Sequence, residues 1–165
     1  MTRVSKILSA GVCLVIAPVL LSFVHPFGNP HNVAAAPGSL LAGAEIPDPL
    51  RDVIGRKCGN CHSEATDWPF YSRLAPVSWM VERDVMEARE HLNFSHWTAY
   101  SDAEKTDLLS KFAAKVRSGE MPPARYTAIH RDSILQPQER EALYEWARGE
   151  RKRLRTETQQ PKGGQ

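Results

Sequence analysis

The stretch Cys58-Gly59-Asn60-Cys61-His62 constrains this chain more than any other. Two cysteines three apart, with histidine directly after the second, form the attachment signature of a c-type haem. The spacing has a chemical reason. On one short helical turn both thiols reach the two vinyl groups along one edge of a porphyrin, and the next imidazole points at the iron. Gly59 and Asn60 are small enough for the macrocycle edge to lie against the turn. Iron held from one side keeps a sixth position, whose occupant decides between electron transfer and small-molecule chemistry. Two other uses of C-x-x-C fit less well. A thioredoxin-like dithiol sits between a strand and a helix, and no strand-like run precedes Cys58. Zinc needs roughly four nitrogen or sulfur ligands, and the remaining cysteine, Cys13, lies inside an apolar leader.

At 165 residues the chain suits one domain with extra segments at its ends. Three cysteines supply no disulfide framework. A haem, as a large apolar disc, adds the core surface that a small domain lacks. The formal net charge of +2 singles out no class of partner, and no nucleic-acid partner is expected.

Arg3 and Lys6 precede 18 uncharged residues, Ile7 to Val24, so 1–24 reads as an export signal or membrane anchor. The run is at the short end for a span, and Pro18 would bend it. The best cleavage candidate, Ala34-Ala35-Ala36, lies well past the apolar run and is followed by Pro37, which favours an uncleaved anchor. Residues 25–48 are rich in proline and glycine and read as a flexible tether. Covalent haem is attached outside the bacterial cytoplasm, so leader and motif agree on the periplasmic side of the inner membrane.

Residues 49–150 read as the haem domain. A short helix opens at Pro49, with Asp48 as cap, and runs through Leu50, Val53 and Ile54 to the motif. After His62 comes a loop with Trp68, Phe70 and Tyr71. So much aromatic surface suits packing on a porphyrin, and Trp68 is expected nearest the haem. Pro76 to His91 is amphipathic, with Val77, Met80, Val81, Val85 and Met86 at helical spacing. Ser101 and Glu104 form a capping box for a helix through Leu109, Phe112 and Val116 to Gly119. A last helix starts near Pro137 and carries Leu143, Trp146 and Ala147. Residues 151–165 are basic and read as a disordered tail that touches anionic lipid, or as a solvated helix end. No run supports a sheet, so the fold is expected to be all-α.

Candidates for the sixth ligand are Met80, Met86, Met121, His91, His96 and His130. Met80 and Met86 lie on the amphipathic helix, where methionine is usually core. Met121 has the best setting, in Ser118-Gly119-Glu120-Met121-Pro122-Pro123, where glycine ends a helix and two prolines stiffen the chain. It also lies 59 residues after His62, enough to reach the other haem face.

These pieces resemble the class I cytochrome c fold and, more narrowly, a family of bacterial haem-binding domain proteins. The narrower likeness rests on the motif and on Thr66-Asp67-Trp68-Pro69-Phe70-Tyr71-Ser72, Ala75-Pro76-Val77-Ser78-Trp79, Leu92-Asn93-Phe94-Ser95-His96-Trp97 and Gly119-Glu120-Met121-Pro122-Pro123. It covers roughly residues 46–150. The resemblance implies one covalent haem c on Cys58 and Cys61, with His62 and Met121 as axial ligands. The expected activity is single-electron transfer with redox proteins, chiefly membrane complexes. The rival readings are a redox or gas sensor or peroxidase-like enzyme with a labile Met121, served by His91, His96 or Glu120, and a structural haem module.

Overall fold

The computed structural model describes residues 3–32 and 40–159, with side chains from residue 12 onward. The Ala34–Ala36 cleavage candidate lies outside them. Seven α-helices follow in order: α1 (Arg3–Leu21), α2 (Asp48–Lys57), α3 (Gly59–His62), α4 (Val77–His91), α5 (Asp102–Ser118), α6 (Ala124–Thr127) and α7 (Pro137–Gln159). Short 3-10 turns cover Phe70–Arg73, Phe94–Ala99 and Arg131–Ser133. There is no strand among the described residues, as expected for an all-α fold.

The central packing is α5 against α7. Leu109, Ala113 and Val116 on one helix face the buried Leu143, Ala147 and Leu154 on the other. At the start of α5, Ser101 Oγ accepts from Glu104 N while Glu104 Oε2 accepts from Ser101 N at 2.7 Å, the capping box that the sequence predicts. At its end Gly119 takes φ +76°, a left-handed turn that a side chain would strain. An edge-to-face series, Phe94 on Phe112 and Phe112 on Trp146, then ties the turn after α4 to α5 and α7.

Three expectations need correction. The tether does not run free to Asp48: Leu41 is fully buried, with Ala44 and Ile46 also in the core. Leu41 N donates to Phe94 O and Trp146 Nε1 to Glu45 O, so this segment caps the core. Its apolar residues follow no period, which hides them from pattern reading. Asp48 begins α2 as a helical residue and caps nothing. At the other end, residues 151–159 continue α7, so the run is a helix end, as the second reading has it, and not a disordered tail. Leu154 extends the buried stripe of Leu143 and Ala147, and Arg153 bridges Glu150 at 2.6 Å and Glu157 at 2.7 Å.

On α4 the buried positions are Ser78, Glu82 and Val85, while Met80 and Met86 stand exposed. The segment after α1 covers the polar face: His25 Nδ1 meets Glu82 Oε1 at 2.8 Å, and Trp79 Nε1 donates to Val24 O. The methionines therefore leave the core because other chain takes that face. Among the described residues no helix is long and apolar enough to cross a membrane.

Candidate functional site

The site begins where α2 ends. Ile54, fully buried, offers its carbonyl to Cys58 N at 2.9 Å, and Cys58 O then accepts from His62 N at 3.0 Å. The motif is thus one helical turn, α3, set at an angle on a helix that the core holds still. Gly59 points away from the cavity described below; its carbonyl accepts from Ser63 Oγ at 2.7 Å. Asn60 does more. Its side chain donates to Tyr126 Oη and accepts from Asp67 N, joining the turn to α6 and to the aromatic loop.

His62 is held by its ring. Nδ1 lies 2.9 Å from Leu92 O, just past the end of α4, and 3.1 Å from Ala88 O in its last turn, which also accepts from Leu92 N. With two acceptors facing it, Nδ1 carries the proton and Nε2 keeps its lone pair. A carbonyl bonded to one ring nitrogen sets the tautomer of a metal-binding histidine in this way. Burial lowers the His62 pKa, so the ring is neutral and ready to ligate.

A cavity of about 600 Å³ opens beside these residues. Cys58, Cys61 and His62 line it together with apolar side chains from α4 and α5, among them Val85, Phe112 and Val116. Met121 lines the same cavity, so the structure brings the expected ligand pair to one space. Its amide donates to Lys115 O at 3.2 Å, which folds the loop back along α5. Size and lining suit a large flat apolar group, and a neutral imidazole and a thioether offer it one nitrogen and one sulfur.

The thiols lack the lowered pKa of a redox dithiol. Burial, with Cys61 adding to it, pushes the Cys58 thiol up to about 12, and burial pushes Cys61 to about 11. A dithiol oxidoreductase needs the opposite shift.

Other sequence expectations separate. Trp68 does not line the cavity; its indole donates to Asn32 Oδ1 at 3.1 Å. Tyr71, from the same loop, takes the place expected of it. Of the distal candidates His91 and His130 line the cavity. His96 sits 3.7 Å from Glu64, and Glu120 pairs with Lys115. Tyr126 escaped the sequence reading. It stacks on His130 at 4.3 Å, and His130 Nε2 bonds Tyr71 Oη, an aromatic group at the cavity wall. Its only signal was its place one turn after Pro122 and Pro123.

An all-α chain that presents a neutral imidazole nitrogen to an apolar cavity beside paired thiols has the make-up of a haem-binding protein. Residues 16–149 match a haem-binding domain, and the chain belongs to that family. No match is found among curated proteins or solved structures. The matched stretch starts inside α1, well before residue 46, which agrees with the burial of Leu41, Ala44 and Ile46.

Proposed function

We propose that this haem-binding protein is a monohaem c-type cytochrome that carries single electrons on the periplasmic side of a bacterial inner membrane. Cys58 and Cys61 form the thioether links, His62 ligates through Nε2, and Met121 supplies the second axial ligand. The observation that carries the reading is the double anchoring of His62 Nδ1 on Ala88 O and Leu92 O, which leaves one nitrogen for iron. Bound haem supplies a one-electron couple tuned by its axial ligands and its burial. The chain's part is to hold those ligands still and to keep water off the faces with Val85, Phe94 and Phe112. Redox proteins, chiefly membrane complexes, are the partners in this reading. Retention at the membrane rests on α1, whose Leu14, Val15 and Leu20 side chains stand exposed.

A second reading has one observation behind it. Met121 is 37% exposed while His91 and His130 line the same cavity. A weakly held methionine beside two imidazoles suits a redox or gas sensor, or a peroxidase-like enzyme. Absorption spectra of the purified holoprotein separate the two. The electron carrier keeps its pigment in acidified acetone, shows a methionine–iron charge-transfer band that Met121→Ala abolishes, and ignores carbon monoxide when reduced. Ready carbon monoxide binding by the reduced wild type gives the sensor or enzyme instead.

A further inference from the structure

Away from the haem cavity, α5 and α7 enclose a second, shallow groove of about 500 Å³. Its floor is Ala113 and Ala114, and its walls carry Arg117 from α5 and Arg148 and Arg151 from α7. It does not share a face with the haem. Leu108, Lys111 and Lys115 of α5 line the haem cavity, while Ser110, Ala114, Arg117 and Ser118 line the groove, about half a helical turn away.

Two of the three guanidiniums converge on one phenol. Arg117 lies over the Tyr144 ring at 4.2 Å and Arg148 at 5.5 Å, while Arg151 Nη1 donates to Ser110 Oγ at 2.8 Å. Ring faces and a hydroxyl orient the cations without cancelling their charge. No carboxylate lines the groove. Of the three, Arg148 has an ion-pair partner among the described residues, the exposed Glu145 at 3.2 Å. In a chain of net charge +2, three guanidiniums in one groove are a local concentration whose repulsion a bound anion would relieve.

We propose that the groove formed by Arg117, Tyr144, Arg148 and Arg151 binds a phosphate group. A carboxylate has two oxygens and is satisfied by one forked guanidinium. A phosphate has enough acceptors to be shared by guanidiniums from two helices. Bound there, it would clamp α5 to α7 on the side away from the redox centre. The group belongs either to a free phosphate compound or to an anionic lipid headgroup.

The test uses the purified holoprotein in two arms. One titrates inorganic phosphate by calorimetry, with ionic strength held by chloride. The other measures binding to phosphatidylcholine vesicles with and without phosphatidylglycerol. Arg117→Gln and Arg148→Gln should each weaken saturable binding about tenfold in one arm, with helical circular dichroism and haem absorption unchanged. The arm that responds identifies the source of the phosphate. No saturable binding in either arm, binding that both variants retain, or binding that chloride reproduces overturns the site.

Discussion

The two sides of the haem cavity are built to different standards. On the His62 side everything is tied: the ring to two carbonyls, the Cys58 amide to Ile54 O, Ser63 to Gly59 O, and Asn60 to Tyr126 and Asp67. On the Met121 side a loop from Gly119 to Pro123 is tied back by the Met121 amide on Lys115 O, and its side chains at Glu120 and Met121 are exposed. In the proposed cytochrome His62 is in place before any haem arrives, while Met121 has room to close onto it. The contrast suits the proposed covalent loading, in which the turn that carries Cys58 and Cys61 would have to be rigid when haem is presented.

The sharpest break of this contrast is to exchange the insults. His62→Ala should leave protein without stable low-spin haem, read from the absorption spectrum of the purified protein. Met121→Ala should keep its covalent pigment and change the spectrum of the oxidised form. Equal loss of pigment in both variants would erase the asymmetry. Between these lies Ile54→Ala, which empties a fully buried position under Cys58. It should cost about 2–5 kcal/mol in urea unfolding, whereas Met121→Ala removes a side chain that is already 37% exposed and should cost under about 1 kcal/mol.

The same contrast explains what was legible in the sequence. The motif, the capping box at Ser101 and Glu104 and the stop at Gly119 are local devices, each complete within a few residues, and each lies where the sequence places it. What escaped depends on distant chain. Leu41 and Ile46 look like tether because their partners, Phe94 and α7, lie far along the sequence. Trp68 and Tyr71 look alike in one aromatic loop, but Asn32 holds the one and His130 the other. Met80 and Met86 have the spacing of core, yet Glu82 is buried instead because His25 comes over to meet it. The partners of His62 Nδ1 were equally hidden, since nothing in the motif says which helix end will receive the ring.

The smallest expected effect tests how the His62 side is braced from below. Lys57, the residue before Cys58, donates to Ile134 O at 2.7 Å and to Glu139 Oε2 at 2.6 Å, which joins the end of α2 to the start of α7. Burial acts to raise the Glu139 pKa, but the bonds from Lys57 and from Gln136 N outweigh it and hold the carboxyl below its ordinary 4.5. A carboxylate with a lowered folded-state pKa binds fewer protons folded than unfolded. Its contribution is therefore complete above about pH 4.5 and fades as pH falls through the folded-state value. Glu139→Gln should unfold at lower urea than wild type at neutral pH, and the gap should close in acid. Met121→Ala, on the unbraced side, should show no such convergence. A gap that persisted in acid would mean that Glu139 acts by packing and its hydrogen bond to Gln136 N, with the charge of Lys57 contributing nothing to the turn that carries the cysteines.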